Sequence, residues 1–560
     1  MPRPETERSG KPIAARRSSD VSALELVAFF LLAVLPVWPY LAFALRTGVE
    51  RFSIAGDFAL LEQATRHVWH GDALLGPYSR FRWHHPGPLF FYIAAPFEAL
   101  FGPKSTGLFV GACVVNAAAA AALVANVRMS TTRAHAAASL LVVLAWFAAF
   151  GNVTASPWNP LVIVLPLVTF LVSCALFARG ETRAFVPAAF FGALALSTHV
   201  AAITTVVVAA TVAVLIFVAR RHVLTRRDRG FLACGLAIVV LAFLPPLVEQ
   251  VTAPRGNLRA LATFFLHRAA PPKPLSVALK NAIVATSWMP DRLFSHALPE
   301  EGWVPLGMRW DNMPERVSRT AATIALVHVT LVVLAFVVAR LRRDATSLAI
   351  LGFGVLAEVV ALVSLRSIVG ADMQYLVFWT TAASSVAWLG TLSALISAAS
   401  AASLAVLSPR GRKAATCGLA CAGLLLAATA TSFQAQWLAK HSSLPGSYRS
   451  MNPLMSRLHA ALRERMAREG ATPVIHLEGA YDLAEAMVLE LEKDGLDVRV
   501  LDADRWLFTG VSSEANIVRP LHVWFSQPAL PLAKAPCLEL LEEREGHAIY
   551  VAAPHCHCCP

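Results

Sequence analysis

The sequence predicts an α-helical polytopic membrane protein of about eleven spanning helices with a small C-terminal extracytoplasmic α/β domain. Three observations carry this. Only 15% of the 560 residues are charged and 56% are hydrophobic, whereas soluble domains carry about 25% charged residues. The apolar residues gather in long runs, and basic clusters flank those runs in a regular alternation. The character of the chain then changes near residue 435, where short strand-like and helix-like segments alternate.

Residues 1–21 are polar and basic and read as a cytoplasmic tail. The run 22–45 exceeds the roughly 7–15 residues of a signal-peptide core and lacks a small-residue cleavage site, so it reads as a retained first span. Further candidate spans are 105–127, 134–150, 159–178, 184–199, 200–219, 231–247, 320–339, 346–364, 374–406 and 414–431. The continuous run 184–219 would measure about 54 Å as one helix. A hydrocarbon core is about 30 Å thick, so the run must break, and "LSTHV" around Ser197–His199 is the place.

Arg128 and Arg133, Arg179 and Arg183, "RRHVLTRRDR" (220–229), "RLRRD" (340–344) and "RGRK" (410–413) are each separated from the next by two candidate spans. All of them then face the cytoplasm together. The net charge of +12 is thereby a topological signal, and nucleic acid is not an expected partner. The expected location is a cell (inner) membrane, crossed several times, with the N-terminus cytoplasmic. The membrane portion is 22–435, with outer loops 46–104 and 248–319, and the C-terminal domain is 436–560.

Within that domain, 450–469 and 480–495 have helical spacing. "TPVIHLEG" (472–479), "LDVRVLD" (496–502), "RPLHVWFSQ" (519–527) and "GHAIYVAAP" (546–554) read as strands with some parallel pairing. No G-x-G-x-x-G or Walker-type loop is present, so nucleotide binding is not assigned.

The ionisable chemistry concentrates just after the first span, in "GDFALLEQATRHVWHGDALLGPYSRFRWHHPGPLFFY" (56–92). Asp57 stands at the membrane interface, where a carboxylate within hydrogen-bond reach can take a proton from a hydroxyl. The competing reading makes it the N-cap of "FALLEQATRHVWH". The order of an early acid, an amphipathic helix and "HHPGPLFFYIAAPFEALFG" resembles the GT-C superfamily of membrane glycosyltransferases. More narrowly, it is similar to bacterial members related to protein mannosyltransferases and lipid A aminoarabinose transferases. "SPWNP" (156–160) and "LPPLVEQVTAPRGNL" (244–258) extend the resemblance, which covers roughly residues 20–435.

The resemblance implies a sugar donor carried on a polyprenyl phosphate or diphosphate. It implies transfer at the outer face, usually with inversion, to a glycan, lipid or protein acceptor, with Asp57 as the base. Relatives carry a phosphate-contacting Lys where this chain has His85, and Arg82 and His84 are the cations that assist or substitute. Glu249, Trp158 and Asn159 are candidate sugar contacts, with interfacial capping and anchoring as their competing roles. Arg255, Arg259, His267, Arg268 and Lys273 form a second basic group that covers the site or is a solvated face.

Some superfamily members use a second outer-loop acid to bind a divalent cation. "GNVTASPWNP" (151–160) has none, so no metal and no cofactor are expected. "HCHCC" (555–559) has soft-metal ligand types without the spacing of a structural zinc site. Cys113, Cys174, Cys234, Cys417 and Cys421 fall in apolar runs and read as small hydrophobes. Cys537 and the tail cysteines form no disulfide-dense scaffold.

Two other function classes compete: a transporter or flippase of lipid-linked saccharides, and a non-catalytic envelope-polysaccharide assembly factor. Transporters place paired ionisable groups at mid-membrane, and here Glu358 is the main mid-span charge. The parity of the basic loops also makes a prediction. A reporter that works only in the cytoplasm, fused after Pro560, is expected to be silent, and a bright signal would overturn the span count.

Overall fold

The computed structural model of the chain describes residues 22–221, 223–254, 256–267, 271–294, 312–406, 408–515, 517–527, 538–544 and 546–552. The N-terminal tail, Arg255, Arg268, Cys537 and the "HCHCC" motif lie outside the described residues.

Among the described residues, 9 helices are long and apolar enough to cross a membrane. They are Ala23–Arg46, Thr106–Ser130, Arg133–Val153, Asn159–Ala178, Val200–Ala219, Arg226–Thr252, Arg319–Leu341, Ala345–Leu365 and Gln374–Ser400. The run 184–199 forms the shorter apolar stretch Thr182–Thr198, and 414–431 lies within the helix Pro409–His441. The long run breaks at His199, whose backbone is extended (φ −147°, ψ 120°) between two helical segments. Asn159–Ala178 is buried along its whole length and forms the centre of the bundle. Ala23–Arg46, Arg226–Thr252 and Arg319–Leu341 are mostly exposed, so their apolar side chains form the lipid-facing surface.

The basic connections meet at one end of the bundle. Glu25 pairs with Arg128 at 2.7 Å and Arg133 at 3.0 Å. The Arg183 guanidinium donates to the Met129 carbonyl, and His135 pairs with Asp344 at 3.1 Å. Glu358, the mid-span charge, pairs with His328 at 2.8 Å.

The opposite end carries the C-terminal α/β region. The first loop holds a short hairpin of β1 (Tyr78–Ser79) and β2 (Trp83–His84). The sheet of the C-terminal region has strands β3 (Thr472–Gly479), β4 (Arg499–Val500), β5 (Ser512–Ser513), β6 (Pro520–Ser526), β7 (Glu539–Arg544) and β8 (His547–Ala552), in the order β5-β4-β3-β6-β8-β7. The β5-β4-β3-β6 half is parallel, while β8 pairs antiparallel with both β6 and β7. Strand β7 falls outside the sequence reading because it is a charged edge, with Glu539, Glu542, Glu543 and Arg544. Charge blunts edge pairing and erases the apolar alternation that marks a strand.

A lattice of buried charges joins this region to the first loop. Between β3 and β4 runs the docking helix, Tyr481–Lys493. It lies against the first-loop helix, Asp57–Arg66, and the segments beside it. Lys493 Nζ reaches Glu62 at 2.8 Å, Glu490 at 2.8 Å and the Ser105 hydroxyl at 3.2 Å. Arg66 bridges Glu62 at 2.7 Å and Glu98 at 2.9 Å, and Arg51 bridges Glu490 and Asp494, each at 2.7 Å. The Lys493 and Glu62 side chains are both 0% exposed, so neither charge has water as a substitute partner.

Removing one partner of such a buried pair costs about 3–5 kcal/mol. Lys493→Met is therefore expected to lower the thermal midpoint of the purified chain. The double variant Glu62→Gln/Lys493→Met should recover part of the loss, because it no longer strands the Glu62 charge. Unchanged unfolding of the single variant in a thermal melt would contradict this role.

Candidate active site

The first-loop helix starts abruptly. Gly56 precedes it with φ +57° and ψ −138°, a conformation open to glycine and strained for other residues. A Cβ there would also sit 3.0 Å from Asp482 Oδ1. Asp57 is consequently the first helical residue and not the N-cap. Its carboxylate turns sideways instead. Trp158 Nε1–H donates to Oδ2 at 2.8 Å, and the Tyr78 hydroxyl donates to Oδ1. Burial raises the proton affinity of Asp57, while these two donors oppose that rise. Each carboxylate oxygen keeps a lone pair for a further partner.

Trp158 is placed by "SPWNP". Its extended backbone leads into the helical turn Asn159–Val162, with Pro160 in the first turn, and its ring packs 4.8 Å from that of Tyr375. Tyr78 belongs to a short hairpin of β1 (Tyr78–Ser79) and β2 (Trp83–His84). The turn between them closes through Arg82 N–H donating to Ser79 O at 2.9 Å.

Asp57, Tyr78, Trp158 and Asn159 form the polar part of a cavity of about 330 Å³. Arg80 and His85 also line it, and Phe81, Trp83, Phe264, Phe265, Ile203 and Trp379 are among its apolar walls. The Arg80 guanidinium donates to Val369 O at 3.3 Å and lies 5.0 Å from the Phe81 ring centroid. His85 Nδ1 accepts Val200 N–H at 2.9 Å, so its proton sits on Nε2. Burial and the neighbouring His199 and His84 rings push the His85 imidazolium pKa well below the ordinary value. At neutral pH His85 is therefore a neutral donor rather than a cation. Asn159 meets His199 Nδ1 at 3.2 Å, and the His85 and His199 rings are 4.9 Å apart.

Asp57, His85, Trp158 and Asn159 thus share one cavity, whereas Arg82, His84 and Glu249 do not line it. Arg82 is exposed, at φ +62° in the hairpin turn. His84 points away from its neighbours Trp83 and His85, and its ring nitrogens face Gly76 O at 3.1 Å and Trp506 O at 2.8 Å. Glu249 accepts the Asn257 N–H at 3.0 and 3.2 Å, at the start of the covering helix Asn257–Leu266. The Asn257 side chain clamps the His84 backbone, accepting its N–H and donating to its C=O, both at 2.8 Å. Glu249 therefore positions the helix that brings Phe264 and Phe265 to the cavity. In the second basic group, Lys273 is paired with Asp372 at 2.6 Å, and Arg259 and His267 are exposed. Among the described residues no group of three or more His, Cys, Asp or Glu is arranged to hold a metal ion.

Tyr78 and Arg80 are the site residues that the sequence reading passed over. Strand alternation through "PYSRFRWHH" gives no signal for them, because it sets Tyr78 and Arg80 on the face of His84, their partner strand's residue, and opposite Trp83 and His85.

Residues 84–248 match the family described as dolichyl-phosphate-mannose-protein mannosyltransferase. No curated protein matches this chain. Among solved structures, ArnT from Cupriavidus metallidurans bound to undecaprenyl phosphate is similar with a TM-score of 0.51 at 15% identity, covering 95% of this chain and 99% of that one. ArnT in the apo state gives a TM-score of 0.42 at 12% identity, covering 95% and 98%. The matched segment and the shared fold together support a membrane glycosyltransferase of the GT-C superfamily.

Proposed function

We propose that the chain transfers a sugar from a polyprenyl-phosphate-linked donor to a glycan, lipid or protein acceptor at the outer face of the cell membrane, with inversion. The observation that carries this is the position of Asp57. Its carboxylate is aimed by two fixed donors into a cavity that is polar at one part and apolar over most of its wall. A lipid-borne donor needs the apolar wall, and its sugar phosphate needs the polar part. The undecaprenyl phosphate held by the ArnT structure that shares the fold supports a polyprenyl-linked donor. In this reading the N-terminus is cytoplasmic, the C-terminal α/β region is extracytoplasmic, and the reaction uses no metal or cofactor.

Asp57 takes the proton of the acceptor hydroxyl. The acceptor oxygen forms its bond to the anomeric carbon from the side opposite the phosphate. The bond between that carbon and the phosphate oxygen breaks, and the oxygen keeps the electron pair. Arg80 supplies the positive charge for the departing phosphate, and His85 Nε2–H adds a neutral hydrogen bond. Trp158 and Asn159 flank the sugar. His84, Arg82 and Glu249 act at one remove, through the hairpin and the covering helix.

General-base assistance is worth about 10²–10⁴-fold in rate. Asp57→Asn is expected to lose roughly that factor in turnover, measured as release of lipid phosphate from a panel of polyprenyl-linked sugars. Wild-type turnover in a properly inserted variant would remove Asp57 from the mechanism.

The Tyr78 hydroxyl gives a pH test. By donating to Asp57 it favours the carboxylate and lowers its proton affinity. Tyr78→Phe removes that donor, so Asp57 should hold its proton to higher pH. The acid limb of kcat/KM against pH is then expected to move upward. A limb that stays in place or moves down would mean that Asp57 is not the titrating base.

A further inference from the structure

The parallel half of the C-terminal sheet has a topological switch point beside Asp57. From β3 the chain passes through the docking helix to β4 on one side, and later returns to β6 on the other. In open α/β sheets, ligands bind in the crevice outside the carboxyl ends of the strands at such a point. Here that crevice lies at Gly479–Ala480 and the carboxyl end of β6, where Ala480 N–H donates to Phe525 O at 3.1 Å. The docking helix begins there with Tyr481 and Asp482, and Gly56 of the first loop donates its N–H to Asp482 O at 3.3 Å. The switch point of one region therefore opens beside the base of the other.

The side chains at this place have the chemistry of a site. Tyr481 is 52% exposed and Tyr448 is 51% exposed. Tyr448 is held beside the first loop by its N–H on Ser53 O at 2.6 Å. One turn along the docking helix, Glu485 is 4% exposed, and its Oε2 has no hydrogen-bond partner. Burial, then the nearby charges of Asp57 and Asp482, push the Glu485 carboxyl well above the usual carboxylate range. Glu485 thus lies close to two further carboxyls, those of Asp57 and Asp482. A buried polar group without a partner is costly.

We propose that this crevice is the acceptor subsite, and that it takes a polyhydroxylated, carbohydrate-bearing acceptor. Tyr481 and Tyr448 offer aromatic faces to the C–H surfaces of a sugar ring, and Asp482 and Glu485 hold its hydroxyls. One hydroxyl is then presented to Asp57. Carboxylate oxygens accept hydrogen bonds from hydroxyls, a pairing that suits such an acceptor. The inference rests on the glycosyl-transfer reading for its meaning, but it can be tested without a donor.

The experiment is a glycan array probed with the detergent-purified full chain, with no polyprenyl donor present. The wild type is expected to bind one or more glycans. Tyr481→Ala and Asp482→Asn should each weaken that binding roughly tenfold or more, the scale of a lost hydrogen bond to a charged group. Tyr481→Phe, which keeps the ring, should retain it. Tyr481 is exposed and Asp482→Asn is isosteric, and thermal melts establish that the variants are folded. No glycan binding by the wild type, or binding insensitive to both Tyr481→Ala and Asp482→Asn, overturns the inference. Glycan binding that follows this pattern without any sugar transfer would reject the proposed reaction and leave the subsite standing. Transfer with glycan binding insensitive to these substitutions would do the reverse.

Discussion

Two fully buried side chains of opposite charge, Lys493 and Glu62, tie the C-terminal region to the membrane bundle. Neither charge is tolerable alone at that depth. Their desolvation is offset only while Glu490, Arg66 and Ser105 complete the lattice. The register between the docking helix and the first-loop helix is thereby restricted. An apolar contact could slide by a turn at little cost, whereas a charge lattice strands a bare ion when it slips.

That restriction reaches Asp57 along the first-loop helix, five positions back from Glu62. The same docking sets Asp482 against Gly56 and Trp506 against His84 and the Tyr78 ring. The Asp57 carboxylate is therefore held from two directions. Tyr78 and Trp158 fix its oxygens, and the C-terminal region fixes its backbone. A side chain held by neighbours that are themselves packed loses little entropy when substrate arrives, which is what preorganisation requires.

The cavity also shows how charge is kept scarce near lipid. Of the basic residues near the hairpin, Arg80 alone lines the cavity as a cation. His85 lines it as a neutral donor, Arg82 is exposed, and His84 is spent on backbone carbonyls. Glu249 and Asn257 work through the main chain to seat the covering helix with Phe264 and Phe265.

Much was legible from sequence because membranes impose simple rules. A hydrocarbon core of fixed thickness converts apolar run length into spans. It also required the break at His199, and the spacing of basic clusters already grouped the connections that meet at one end. Strand and helix periodicity marked β3, β4, β6, β8 and the docking helix, but not β5, which is only two residues long, nor β7, whose exposed charges hide its alternation. Asp57, Trp158 and Asn159 stood out by type and place. Only the tertiary structure decided that Asp57 is not a cap, that His85 is neutral, and that Glu249 lies outside the cavity. Those outcomes depend on which backbone groups, aromatic rings and charges converge from residues far apart in the chain. The meeting of Asp57 with Asp482 and Glu485 is of the same kind. Spacing along one chain records periodicity, but burial and partnership are set by docking, and here a buried lattice of ions sets the docking.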